Sequence, residues 1–369
     1  MFRRYLRRII VAVVIGVIVG LTVVASRLYE RPRTLAVSEV AIVFWQWRTP
    51  APEPLDISNA VSKARMQKLF LRAGQFNLKN ETPTRIQPMT GTFPSGGVDL
   101  YLVYNAAPKL LREFEQTNQA TLAAAIADTY GIDLERANRN RAKVMGVQLD
   151  FDVPTRLLPK YADLLKSLRS SLPPDTNVSI TGLPSWIESN DLESVLKVVD
   201  FWIPQFYGGE IPATADRKIA ISSAVDVARN VARVRQLGRP FYAGISAYGY
   251  AILYGKDGSL IEVRGNIDPK LAEQDSDLEL VEHSTFPNSD EGRLVYRVRG
   301  EHVFRGLTVR TGESLVFDIP TVASLKAAAR AVRENAGEQL LGICIFRLPS
   351  DFDKTNLSID EVSSALTSE

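Results

Sequence analysis

A chain of 369 residues has room for one large domain or two small ones. Its hydrophobic share of 45% and charged share of 23% are ordinary for a globular protein, and a formal net charge of +2 offers no footprint for nucleic acid. Cys344 is the single cysteine and His283 and His302 the two histidines, which excludes an internal disulfide and any cysteine- or histidine-rich metal site; no metal or organic cofactor is signalled.

The chain opens on Arg3, Arg4, Arg7 and Arg8, followed by a neutral, mostly apolar run over residues 9–25. A basic segment ahead of such a run directs membrane insertion with the arginines left in the cytoplasm. One N-terminal transmembrane helix, retained as an anchor, is expected; cleavage after Ala25 is the alternative. Either way the remainder is expected in the periplasm or outside the cell, tethered at the inner membrane or secreted. Residues 1–34 read as anchor and tether, and residues 35–369 as the folded unit.

Strand-like runs, rich in β-branched and aromatic residues, recur over residues 39–47, 68–76, 98–104, 145–154, 178–186, 199–207, 239–248 and 340–348. Helical stretches are expected between them, over residues 58–66, 109–143, 157–172, 220–237 and 321–335. The Pro-rich segment TPAPEP after the first strand reads as irregular, and so does the Pro-, Thr- and Gly-rich stretch before the third. Strands alternating with helices argue for a parallel sheet, and eight such units argue for closure into a (β/α)8 TIM-like barrel. The competing open, doubly wound sheet lacks its usual Gly-rich loop after the first strand. Residues 251–320 break the rhythm with hairpin-like pieces at 259–264, 293–299 and 307–317. They read as a β-rich insertion after strand 7, a candidate wall for a cleft.

The fourth strand carries the chemistry. In Met145-Gly146-Val147-Gln148-Leu149-Asp150-Phe151-Asp152-Val153-Pro154, side chains alternate faces, so Gln148, Asp150 and Asp152 share one side and Val147, Leu149, Phe151 and Val153 the other. A buried strand does not spend two carboxylates on one face without a use, because each is costly to desolvate. About 6.6 Å apart along the strand, the two acids should raise each other's tendency to hold a proton. At the C-terminal end of a barrel strand they stand where barrel enzymes keep their catalytic groups. Trp47, Trp186 and Tyr248, at strand ends, are candidate stacking surfaces for sugar rings. Arg347, near the end of the last strand, is a candidate partner for a carboxylated sugar or for Asp150.

GVQLDFDVP resembles the fourth-strand signature of family 18 glycoside hydrolases, the chitinase-like barrels, usually D-G-x-D-x-D-x-E. Gly146 matches the glycine, Asp150 the last aspartate, and Asp152 falls on the catalytic glutamate; Met145 and Gln148 replace the earlier acids. Gln205-Phe206-Tyr207 is similar to that family's M-x-Y-D segment, with Gly208 in place of the acid. LDFDVP, TGLPSW and FWQW together resemble an uncharacterised bacterial family, domain of unknown function 3142, over nearly everything after the anchor. The chitinase-like resemblance implies a glycosidase in which the substrate's own N-acetyl group attacks the anomeric carbon. Asp152 would then be the general acid, Asp150 the group orienting the acetamide, and Tyr207 a donor to it, with Gln148 and Gln205 beside the substrate. Asp is one methylene shorter than Glu, and a misplacement of about 1 Å can cost on the order of 10²-fold in rate; Glu210 is a spare acid nearby. The expected ligand is an envelope or extracellular glycan, with a non-catalytic glycan-binding barrel or a structural envelope protein as alternatives.

Overall fold

The computed structural model describes residues 32–95, 97–208, 211–218, 220–265, 267–286, 289–350 and 357–368. The apolar run over residues 9–25 lies outside them, as does Glu210. Among the described residues no helix is long and apolar enough to cross a membrane.

The strands in chain order are β1 (Ile42–Gln46), β2 (Met66–Lys79), β3 (Thr82–Ile86), β4 (Asp99–Ala106), β5 (Lys143–Asp150), β6 (Asn177–Gly182), β7 (Phe201–Pro204) and β8 (Phe241–Ser246). There follow β9 (Tyr250–Tyr254), β10 (Leu260–Arg264), β11 (Leu278–Thr285), β12 (Gly292–Val298), β13 (His302–Phe304), β14 (Leu307–Val309), β15 (Ser314–Ile319) and β16 (Leu340–Phe346). Eight of them pair in parallel in the cycle β1-β2-β4-β5-β6-β7-β8-β16, and β16 returns to β1 to close the ring. Each expected strand core is found in that ring. Helices Pro54–Ala64, Gln119–Arg139, Leu158–Ser171, Ala224–Gln236 and Val322–Asn335 cover the outside.

Local chemistry explains where the observed ends differ from the expected ones. The first helix starts inside TPAPEP because Pro54 takes its first turn, where a missing N–H costs nothing. The region expected as one helix over 109–143 is two, and Asn118 restarts it by accepting from the Thr121 N–H at 2.9 Å. β2 runs past the barrel and folds back on β3 through Asn80 and Glu81, both at positive φ, so part of the stretch expected as loop is a hairpin. The strand expected over 178–186 stops at Gly182; Pro184 opens a single helical turn that swings the chain outward.

Gly146 is fixed by a close approach. A Cβ there would stand 2.2 Å from the Asn177 carbonyl oxygen, so β5 and β6 can pair only with a hydrogen at this site. The pairing of β5 with β4 also skips one residue, Met145, between Leu100 and Tyr101. That bulge lets Met145 and Gln148 both face the barrel interior despite their odd spacing.

Inside the ring, Phe70, Tyr101, Phe201 and Tyr242 meet with centroids 5.0 to 6.1 Å apart. They plug the end where the strands begin. Outside it, Val147, Leu149, Phe151 and Val153 are fully buried between the sheet and its helices. Between β8 and the last covering helix, a five-stranded antiparallel sheet (β10-β9-β15-β12-β11) and the β13–β14 hairpin form a second apolar cluster. This sheet is stitched to the chain following β7. Ala215 N–H donates to Gly258 O, Leu260 N–H to Ala213 O, and the Glu291 carboxylate accepts from the Ile221 and Ser222 N–H groups at 2.8 and 2.7 Å.

Candidate active site at the barrel mouth

Alternation carries Gln148 and Asp150 up the inner face of β5, and Asp152 follows where the chain leaves the ladder in a tight turn closed by Val153 N–H to Phe151 O, 2.7 Å. The three do not share one environment. Gln148 is completely buried: it accepts from Trp45 Nε1 at 2.9 Å and reaches Ser179 Oγ at 3.5 Å. Gln148 therefore belongs to the packing beneath the site, which corrects the expectation that it touches substrate. Asp150 is half-buried and accepts a 2.6 Å hydrogen bond from the Thr181 hydroxyl on the next strand. Asp152 stands at the rim, exposed on one side.

Both acids open into one pocket of about 160 Å³, walled by Trp45, Trp47, Tyr207, Tyr248 and Phe346 and also reached by Gln205. Trp47 is 42% exposed and stacks on Trp45 at 6.3 Å. Tyr207 lies parallel to Phe346 at 5.5 Å, and Tyr248 meets Phe346 edge-on at 5.1 Å. Gly244 and Cys344 lie in the floor. Such a wall offers flat apolar faces around two carboxyl groups, the combination that sugar rings demand.

Electrostatics set the carboxyls apart from ordinary aspartates. Burial, and then the negative charge of Asp152, push Asp150 up to about 7; the Thr181 hydrogen bond and the charge of Arg72 pull the other way. Asp152 is raised too, because the pocket walls strip water from its inner side even though its outer side is wet. Two interacting acids titrate as a pair. Burial also keeps the Tyr207 and Tyr248 hydroxyls protonated, and hence able to donate.

Two further expectations need correction. Trp186 is fully buried outside the barrel, packed on Tyr161 at 5.9 Å with Nε1 donating to Val153 O at 3.0 Å. The early end of β6 puts it there. Arg347 is 3% exposed and absent from the pocket wall; it lies over the Tyr248 ring at 4.9 Å and donates to Gly265 O at 2.8 Å, so it ties the inserted sheet to the rim. The cation that acts on Asp150 is Arg72, on β2. Its signal in the sequence is a single charge in the apolar run LFLRAGQF, two residues from the inward-facing Phe70. Thr181 and Phe346 carry no comparable signal.

Solved structures of chitinases and related enzymes share this closed parallel barrel. A chitinase from Chromobacterium violaceum superposes with TM-score 0.56 at 12% identity, over 89% of this chain and 100% of that one. The spore cortex-lytic enzyme SleL of Bacillus cereus gives 0.55 at 14%, over 89% and 73%. A glycoside hydrolase family 18 N-acetylglucosaminidase from Paenibacillus barengoltzii gives 0.53 at 10%, over 88% and 99%. More particularly, residues 111–282 match the family described as Domain of unknown function (DUF3142). No curated protein matches the sequence.

Proposed function

We propose that the protein is a glycosidase acting on an envelope or extracellular glycan that carries N-acetyl groups. The observation that carries this reading is the acid pair: one carboxyl anchored and one at the rim, both held above the usual carboxylate range by burial, inside an aromatic-walled pocket. Asp152 delivers the proton to the glycosidic oxygen, because it is the acid that faces solvent and an entering ligand. Asp150, held by Thr181, orients the acetamide whose oxygen closes on the anomeric carbon, and the Tyr207 hydroxyl donates to that acetamide. Gln205 lines the same wall, and Trp47 and Tyr248 supply the stacking faces. The solved barrels of chitinases and of a cortex-lytic enzyme support the substrate class by their shared fold. The apolar run over residues 9–25 supports a barrel held at the outer side of the membrane.

The test is hydrolysis of chitin oligosaccharides and of peptidoglycan fragments by the full chain and by Asp152→Asn. Loss of at least about 10²-fold in rate with binding retained is expected, since a positioned general acid contributes about 10²–10⁴-fold. Equal rates for the two proteins would remove Asp152 from the mechanism. Saturable binding without turnover in either would favour the second reading, a glycan-binding barrel, to which the shorter Asp152 at the glutamate position points.

A further inference from the structure

Arg72 is a buried cation whose hydrogen bonds all go to neutral side chains. It rises from β2 into the upper barrel, 5% exposed, with Nε donating to Asn105 Oδ1 at 3.0 Å, Nη1 to Thr49 Oγ1 at 3.0 Å and Nη2 to Gln87 Oε1 at 2.8 Å. Uncharged acceptors fix the plane of a guanidinium and leave its charge intact. Asn105 is also the register partner of Asp150 across the β4–β5 pairing, on the same inward face. The Arg72–Asn105 hydrogen bond and the β4–β5 register thus link Arg72, Asn105 and Asp150 across three adjacent strands. The guanidinium further lies 5.8 Å from the Trp47 ring, so it borders the pocket's stacking face as well. An ion kept out of water costs several kcal/mol unless its field is used.

We propose that Arg72 is a positioning residue for the acid pair: its charge, set beside Asp150 through Asn105, favours the anion on Asp150 and so eases the move of a proton from that carboxyl to Asp152 at the rim. The inference rests on reading the pair as a proton donor. During cleavage the Asp152 proton passes to the glycosidic oxygen, which takes the electron pair of the breaking C–O bond. Both carboxyls are then anionic, and the fixed charge of Arg72 offsets that second charge. Water later gives its hydroxyl to the anomeric carbon as the bond to the acetamide oxygen breaks and its electron pair returns to the acetamide, and the water's proton passes back to Asp152, restoring the pair.

The experiment is a carbon-13 NMR titration of the Asp150 and Asp152 carboxyls in the full chain, beside Arg72→Gln and Arg72→Lys. In Arg72→Gln the Asp150 titration is expected to move up by about one pH unit, the scale of losing a nearby opposite charge. Arg72→Lys, which keeps the charge without the planar fork, is expected to stay close to the parent. An Asp150 titration unmoved in Arg72→Gln, or moved as far in Arg72→Lys, overturns the proposal; the lysine variant decides alone if the glutamine variant does not fold. The readout needs no turnover. A shift as expected in a protein that cleaves no glycan supports the charge placement and counts against the enzyme reading instead.

Discussion

Changing Asp150 to asparagine removes a charge and keeps a shape, since the amide oxygen can still accept from Thr181. Its carboxyl is raised from 3.8 to about 7, so the native chain binds that proton more tightly than the unfolded one. The stability this group contributes is therefore full below about pH 4 and is lost as pH rises through about 7. Asp150→Asn should stabilise the fold against thermal unfolding at pH 8, by on the order of 1–2 kcal/mol after allowance for partial solvent screening, and change little at pH 4. Equal effects at both pH values would contradict the burial of this carboxyl. Strand alternation placed Asp150 on the inner face of β5 below Asp152, while strand ends pointed to Trp47 and Tyr248 and the chitinase-like resemblance to Tyr207 and Gln205; all of them line one pocket. It failed for Gln148, because depth along the barrel axis decides whether an inward side chain meets ligand or packing. It failed for Arg347, whose guanidinium is claimed by Tyr248 and a carbonyl of the inserted sheet.

Strand β5 depends on a glycine that its neighbour does not allow to grow. A methyl group at Gly146 would meet the Asn177 oxygen at 2.2 Å and the Asn177 Cβ at 2.8 Å, so Gly146→Ala must push the backbone of β6 away. A loss of about 2 kcal/mol in urea unfolding is expected, within the range for overpacked cores; an unchanged midpoint would show that the two strands can part cheaply. The strand cores were readable because each is a short apolar run bounded by turn residues. Their ends were not, since they hang on single events: Pro184 breaking β6, Asn118 restarting a helix, Pro54 opening one. The β2–β3 hairpin escaped notice because Thr82, Pro83 and Thr84 mark a loop by composition and became a strand through pairing with β2.

Among the described residues, carboxyls outside the pocket also hold protons unusually well. Glu291 is raised to about 7 and Asp318 to about 6, both mainly by burial, the first opposed by the Ser222 and Ile221 N–H groups and the second by Arg293. With Asp150 they make the native state the better proton binder between about pH 4 and pH 7, so stability falls as pH rises across that window. Thermal unfolding should have a higher midpoint at pH 5 than at pH 8, and the reverse order would show that the exposed ion pairs dominate. Closure of the ring was legible from the count of alternating strands and helices. The seating of the inserted sheet against the chain after β7 was not, because it is made by backbone groups and by Glu291, which no local pattern announces. The four rings of Phe70, Tyr101, Phe201 and Tyr242 give the barrel a last property. They turn the interior into a blind alley, so whatever enters at the mouth must back out past Trp47 and Tyr248 by the way it came.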